Sequence, residues 1–280
     1  MNILDTRTNF GFLHIPKTAG TSISRVIHGA MDLVPLHISN IKNKSEIGTE
    51  IRTTDLIKNS LTYKFASNSP FLSGHITYSE LKKLRREFIF TTLRDPRKRL
   101  ISLYTYFCRT RTKHPKSRYA NLFVNNGAGF YDYMELINPK NSMAKILLSD
   151  HFGYKKATRG LINIDKHVSA DLNGLIEEGL RRFDVIYSCP VQDVLDDLYA
   201  KQLMPKASTI SLNESEEGVY FGDLGTRDKF LETINDAVWL DVLAYEAAQR
   251  IFPENVRTPL STDAEFLSYL ETRFGVNFAF

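Results

Sequence analysis

Short apolar runs alternate with longer stretches of mixed polarity along most of the chain. Runs of strand length occur at residues 10–15, 88–93 and 184–189, and each is closely followed by apolar residues at helical spacing. That spacing predicts helices over residues 20–30, 78–86, 96–109, 130–137, 142–149, 172–183, 191–203, 227–251 and 264–274. Because strand, turn and helix recur in this order, the pattern predicts an α/β fold with a mostly parallel sheet flanked by helices on both faces.

The length allows one large α/β domain or two small ones, and a single domain over residues 1–280 is predicted. The chain has 280 residues, of which 42% are hydrophobic and 24% are charged, so a sizeable core can form. Polar and weakly patterned stretches at residues 42–69, 110–129 and 212–227 are interpreted as surface loops, because none is long enough to require a domain boundary.

Charge and cysteine content narrow the function classes. The net charge is +4 and the isoelectric point is near 8.9, which suits an anionic ligand but is too weak to indicate a nucleic acid. Two distant cysteines, Cys108 and Cys189, do not make a disulfide framework, so a reducing, cytoplasmic location is expected. The N-terminal residues lack the pattern of a signal peptide, and no apolar run has the length of a membrane span.

The turn after the first predicted strand carries the first candidate site. If a helix begins near Gly20, the segment PKTAGTS (residues 16–22) lies at a helix N-terminus. Backbone amides there lack intrahelical partners, and the helix dipole adds positive charge, so an anion such as phosphate can bind. Lys17 adds a full charge, and Thr18, Thr21 and Ser22 add hydroxyl groups. An ordinary helix start with a surface lysine is the structural alternative.

A nucleotide-binding P-loop fits this segment poorly. GFLHIPKT (residues 11–18) matches the spacing of the motif except that Pro16 replaces its second glycine. Proline also lacks the amide that would help to hold a phosphate. A nucleoside triphosphate-dependent kinase is therefore a weaker alternative, and it would also need an acidic residue that holds Mg²⁺.

A second candidate site follows the second predicted strand. Arg94 comes directly after the apolar run, and Asp95 and Pro96 are typical of an N-cap and a first helical position. A guanidinium at the end of a strand can bind phosphate bidentately, and Ser102 lies in the following helix. Alternatively, Arg94 forms a structural ion pair and Ser102 is a solvated helix residue. Two anion sites at strand ends of one sheet indicate a ligand with two separate phosphate groups.

These two segments resemble a known enzyme family. HIPKTAGTS (residues 14–22) and LRDPRKRLISLYTYF (residues 93–107) are together similar to motifs of the sulfotransferases that include the heparan sulfate 2-O- and 6-O-sulfotransferases. A weaker likeness continues through residues 183–198, 212–215 and 241–252. The resemblance implies a P-loop-like sulfotransferase fold and the donor 3′-phosphoadenosine 5′-phosphosulfate (PAPS).

The resemblance also implies a role for each motif. Lys17 would contact the 5′-phosphosulfate group, and Arg94 and Ser102 would bind the 3′-phosphate. The amides and hydroxyls that would hold the 5′-phosphate are those of Thr18, Ala19, Gly20, Thr21 and Ser22.

Sulfuryl transfer to an alcohol needs a base, and histidine suits this role. Of the seven histidines, His75 lies in GHITYSEL (residues 74–81), a context similar to that of the catalytic histidine in the family. A core or capping role is the structural alternative for His75. Glu80 is a second candidate base, although its position in the first helical turn is more typical of a capping residue.

The acceptor is predicted from the resemblance alone, as a hydroxyl group on a saccharide or glycolipid. The basic run CRTRTKHPKSRY (residues 108–119) could steer an acidic saccharide, but it could also be a solvated loop. No metal is expected, since the sequence has no H-E-x-x-H or paired C-x-x-C motif. No nucleic-acid partner is expected either, because the net charge of +4 is too weak to indicate one. A catalytically silent nucleotide- or glycan-binding module is a further alternative.

Overall fold

The fold is given by a computed structural model, which describes residues 8–33, 36–39, 49–52, 60–111, 122–123, 126–148, 172–208 and 219–278. The strands are β1 (Phe10–Leu13), β2 (Leu36–Ser39), β3 (Thr49–Arg52), β4 (Phe71–His75), β5 (Phe88–Thr92) and β6 (Val185–Tyr187). The helices in the described ranges are α1 (Gly20–Ala30), α2 (Ser60–Asn68), α3 (Tyr78–Lys83), α4 (Pro96–Arg111), α5 (Phe130–Ile137), α6 (Ser142–Leu148), α7 (Leu172–Leu180), α8 (Val191–Ala200), α9 (Arg227–Ile251) and α10 (Asp263–Phe274).

The strands form one six-stranded sheet in the order β3-β2-β4-β1-β5-β6. Every pair of neighbours is parallel, so the predicted α/β fold with a parallel sheet is confirmed. The first, second and last helices predicted closely match α1, α3 and α10, and each of the three predicted strands forms, although each ends one or two residues earlier than predicted.

The sequence prediction was wrong for the part of the sheet formed by β3, β2 and β4. Residues 42–69, interpreted as a surface loop, include β3 and α2, and β2 and β4 were not predicted as strands. β2 (LHIS) and β3 (TEIR) are four residues long, and polar residues make up half of β2 and three of the four residues of β3. Strands this short and polar give no clear periodic signal, because their pairing partners determine that they form.

Helices cover both faces of the sheet. Phe10 and Phe12 of β1 pack in one apolar cluster with Ile23 of α1 and Leu195 of α8. Gly11 points to the opposite face, where a Cβ atom would lie 2.9 Å from Leu81 of α3. Successive residues of a strand face opposite sides, so α1 and α8 lie on one face and α3 lies on the other.

A buried arginine that follows α3 in sequence binds the C-terminal end of α2. Arg86 is 1% exposed, and its guanidinium donates to the carbonyls of Ala66 (3.0 Å), Ser67 (2.8 Å), Leu84 (2.9 Å) and Ser69. Burial lowers the pKa of Arg86 to about 10, so the side chain stays charged at neutral pH. The carbonyls at the negative end of a helix dipole stabilise this charge, and the contact fixes the entry into β4.

The chain forms two compact units by its internal contacts. The first unit comprises residues 1–93, 144–212 and 243–258, and it contains the whole sheet. The second comprises residues 94–143, 213–242 and 259–280 and has its own apolar core, which includes Tyr104, Phe130, Phe230 and Phe266. That residues 1–280 act as a single sulfotransferase domain stays a prediction. No helix in the described ranges has both the length and the apolarity needed to span a membrane.

The last turn of α1 contains a buried histidine. His28 is 1% exposed, its Nδ1 donates to the Ser24 carbonyl at 2.7 Å, and its ring meets Phe71 edge to face at 4.9 Å. Burial lowers the pKa of His28 below its ordinary value of 6.5, and the bond to Ser24 opposes this only in part. His28 is therefore neutral in the folded protein at pH 7.

Acid is expected to destabilise the protein through His28. Below pH 6.5 the unfolded chain protonates this histidine while the folded protein does not, so the free energy of unfolding falls as pH drops from 6.5 toward the lowered pKa. The slope for one such group is at most about 1.4 kcal/mol per pH unit. In urea titrations between pH 7.5 and 5, the His28→Asn variant should lose less stability than the wild type. Equal losses in both proteins would contradict this assignment.

Candidate active site

The carboxyl ends of β1, β4 and β5 lie side by side at one edge of the sheet. Leu13 is in register with Gly74 of β4 and with Thr91 of β5. From β1 the chain continues to β2 on one side, and from β5 it continues to β6 on the other. Ligands of open α/β sheets bind where neighbouring strands connect in opposite directions, so the topology favours a site outside the ends of β1 and β5.

The loop between β1 and α1 has an unusual backbone. Lys17 (φ 69°) and Ala19 (φ 66°) are both in the left-handed region, which residues with a Cβ adopt at a cost of about 1 kcal/mol or more. The Lys17 side chain is half-buried and Ala19 is exposed. Alternation between left-handed and ordinary residues turns successive amides toward one side, as in known anion-binding loops.

The N-terminus of α1 has no side-chain cap. Ala19 occupies the N-cap position and forms no side-chain cap bond, whereas Thr77 and Thr262 cap α3 and α10 in complete capping boxes. The first amides of a helix need acceptors from outside it. The structure therefore leaves the amides at the start of α1 suited to an anion, together with the half-buried Thr21 and Ser22.

Thr18 anchors the loop to the sheet. Its hydroxyl donates to the Ile15 carbonyl at 2.8 Å, and the Thr92 hydroxyl at the end of β5 donates to the Thr18 carbonyl at 2.9 Å. Thr18 is 3% exposed. The single hydroxyl proton of Thr18 is already donated to the Ile15 carbonyl. A bound anion would therefore accept a hydrogen bond from the Thr18 amide rather than from its hydroxyl.

His75 is the last residue of β4 and forms a hydrogen bond with the residue that follows β1. Its Nδ1 lies 2.7 Å from the carbonyl oxygen of His14. A carbonyl oxygen can only accept, so Nδ1 carries the proton, and in the neutral ring Nε2 is the basic nitrogen. His75 is partly buried. The structure thus brings the predicted base to the same sheet edge as the predicted phosphate loop.

Glu80, the alternative base, serves as a helix cap. Its carboxylate accepts from the Thr77 amide at 2.8 Å, and its own amide donates to the Thr77 hydroxyl at 3.2 Å. The capping role favoured by the sequence is confirmed.

Sequence analysis missed the contacts of His14. The His14 ring is 5% exposed. It lies 4.4 Å from the His75 ring, centroid to centroid, and directly against Gly20. The only available signal was that each histidine follows an apolar run, and the strand register that joins them is not visible in a single sequence.

In the second unit, the arginines that open α4 have different partners. Arg97 pairs with Asp263 at 2.5 Å, and the buried Arg99 lies 3.8 Å from Asp241 and donates to Ser142 at 2.9 Å. Asp95 caps α4 as predicted, since its carboxylate accepts from the Lys98 amide at 3.0 Å.

Arg94 differs from these arginines. Within the described ranges no carboxylate forms an ion pair with it, and its side chain is half-buried. Its positive charge contributes to the lowered pKa of Arg99, for which burial is the main cause and which Asp241 opposes. The structural ion pair considered as an alternative for Arg94 is thus not seen among the described residues, and an anionic ligand suits this position.

Ser102 lies deeper than the sequence suggested. It is 0% exposed, and its carbonyl accepts from the Thr105 hydroxyl at 3.1 Å. The alternative of a solvated helix residue is therefore wrong. A phosphate could reach the Ser102 hydroxyl only if neighbouring side chains moved.

Two other predictions can be compared with the described residues only in part. Among them no group of three or more His, Cys, Asp or Glu side chains could hold a metal ion. Most of the basic run that could steer an acidic acceptor, residues 112–119, lies outside the described residues.

Comparison with known proteins identifies the family. No curated protein was found to match the chain. A family described as the Sulfotransferase family matches residues 2–154, more than half of the chain. The matched segment includes the Lys17 loop, His75, Arg94 and Ser102. The chain therefore belongs to the sulfotransferase family.

Proposed function

We propose that this protein transfers a sulfuryl group from PAPS to an acceptor hydroxyl, with His75 as the base. The observation that carries the proposal is the hydrogen bond from His75 Nδ1 to the His14 carbonyl. It attaches a histidine with a basic Nε2 to the loop that leads into the uncapped N-terminus of α1. A base and an anion-binding loop at one sheet edge are what transfer from an anionic donor to an alcohol requires.

The residues present fit this donor. Lys17 and the amides of residues 18–22 would hold the 5′-phosphosulfate end, because the structure gives α1 no side-chain cap. Arg94 would bind the 3′-phosphate, a role that suits a half-buried guanidinium. Ser102 would join Arg94 after a local rearrangement that uncovers its hydroxyl.

The proposed chemistry is a single displacement at sulfur. His75 Nε2 takes the proton of the acceptor hydroxyl as the new bond from oxygen to sulfur forms. The bond from sulfur to the 5′-phosphate oxygen breaks, and the electron pair stays on that oxygen. Lys17 and the N-terminus of α1 stabilise this negative charge, which grows in the transition state.

The acceptor is proposed as a chemical class, not as a single compound. The motif likeness to the heparan sulfate 2-O- and 6-O-sulfotransferases supports a saccharide or glycolipid hydroxyl. A cytoplasmic setting, expected from the two cysteines, is part of the same proposal.

The proposal can be tested with radiolabelled PAPS and a panel of glycans, glycolipids and phenols. We expect label transfer to at least one hydroxyl acceptor, and micromolar or tighter binding of adenosine 3′,5′-bisphosphate without Mg²⁺. Binding without transfer to any acceptor would favour the silent binding module. A shift in melting temperature that needs ATP and Mg²⁺ together would favour the kinase.

A further inference from the structure

The side chain of His14 lies between three parts of the candidate site. Its ring stacks on Phe12 of β1, with centroids 5.6 Å apart and planes at 17°. On another side it meets the His75 ring at 4.4 Å and 31°. It also lies against Gly20, the first residue of α1. One imidazole thus connects the proposed base to the helix that would bind the donor.

The contact with Gly20 leaves no room for another atom. A Cβ atom on residue 20 would lie 2.0 Å from Cδ2 and 2.3 Å from Nε2 of His14. Real Cβ contacts do not come this close, so glycine is required there as long as the ring keeps its place. The position of the His14 ring therefore sets how closely the start of α1 approaches the end of β1.

The backbone of His14 is fixed as well. Its amide donates to the Gly74 carbonyl at 2.8 Å, and its carbonyl accepts from His75 Nδ1 at 2.7 Å. These bonds hold residues 14 and 75 side by side at the sheet edge. The hydrogen bond at Nδ1 holds one atom of the His75 ring, and the contact with the His14 ring further restricts rotation of that ring about its side-chain bonds.

On the basis of the sulfuryl-transfer function proposed above, we propose that His14 is a positioning residue for the His75 base. Its ring is a spacer that keeps the His75 imidazole at a fixed tilt relative to the start of α1. His14 itself takes no proton and contacts no substrate in this role. Small errors in the placement of reacting groups are costly, since a displacement of about 1 Å can lower a rate roughly a hundredfold.

The first test is the His14→Ala variant. We expect kcat to fall by about tenfold to a hundredfold, while the Kd for adenosine 3′,5′-bisphosphate changes by less than about threefold because the loop amides and Lys17 remain. Unchanged kcat would overturn the proposal. A loss of kcat matched by an equal loss of ligand affinity and a lower melting temperature would also overturn it, because the ring would then only stabilise the fold.

A second measurement follows the His75 ring directly. In the wild type, ¹⁵N chemical shifts of ¹⁵N-histidine-labelled protein should show His75 mainly as the tautomer with the proton on Nδ1. The carbonyl of residue 14 remains in His14→Ala, but the same signals should move toward a mixture of tautomers, because the His75 ring can now turn away from that carbonyl. Identical His75 spectra in both proteins would refute the positioning role. This readout needs no acceptor, so it stands even if no transfer activity is found.

The third test uses the close approach to Gly20. Gly20→Ala should weaken binding of adenosine 3′,5′-bisphosphate at least tenfold, because the new methyl group displaces either His14 or α1. The double variant His14→Ala/Gly20→Ala should regain most of that affinity but not the lost kcat. Gly29→Ala is the matched control on α1, since a Cβ there meets nothing within 4 Å. Failure of the double variant to regain affinity would contradict the spacer geometry.

Discussion

Lys17→Ala is expected to lower kcat/KM for sulfuryl transfer by about a thousandfold or more. Removing one preorganised donor that faces developing charge commonly costs a factor of about a hundred to a thousand. Lys17 brings a full positive charge as well, and the sequence places no second lysine in the loop from Pro16 to Ser22. The loss should appear mainly in kcat, because in the proposed reaction charge on the 5′-phosphate oxygen grows as the bond to sulfur breaks.

The fold should survive this change. Lys17 is half-buried, and its φ of 69° is equally unfavourable for lysine and alanine, so the substitution neither adds nor relieves backbone strain. The melting temperature should stay within about two degrees of the wild-type value. Lys83→Ala, at an exposed position in the last turn of α3, is the matched control and should leave both activity and stability unchanged.

Normal turnover by a folded Lys17→Ala protein would contradict the assignment of this loop as the donor site. A fall in kcat with binding of adenosine 3′,5′-bisphosphate largely retained would support it. Adenosine 3′,5′-bisphosphate, the product of the proposed reaction, lacks the sulfuryl group. Its binding should therefore depend less on a lysine that acts in the transition state.

The part of the site that local sequence determines could be predicted. The apolar run of β1, the small residues of the turn and the helical spacing after Gly20 are neighbours in the chain. The predicted boundaries of α1 therefore agree with the structure. The Asp95 cap was predictable for the same reason, since an N-cap and its helix are adjacent in sequence.

The part that depends on pairing between distant segments could not be predicted. His14 and His75 are separated by 60 residues, and they meet because β1 and β4 are neighbours in register. That register places β4 between β1 and β2, a crossover that no local pattern indicates. The burial of Ser102 likewise depends on how other segments pack against its helix, which the local sequence around Ser102 does not show.

The His75→Ala variant is expected to lose about a hundredfold to ten-thousandfold in kcat, which is the usual contribution of a positioned general base. Binding of adenosine 3′,5′-bisphosphate should be retained, because no donor contact is assigned to this side chain.

Two controls separate a base from a structural histidine. His28→Asn changes a buried histidine of α1 that lies outside the site, so it should affect stability but not kcat at pH 7.5. Glu80→Gln keeps the hydrogen bonds of the α3 cap through its amide oxygen but removes the only other base considered. If His75→Ala stayed active while Glu80→Gln lost activity, proton transfer would belong to the carboxylate. Full activity of both variants would leave His75 as an anchor between β4 and the β1 exit, with the acceptor's proton passing directly to solvent.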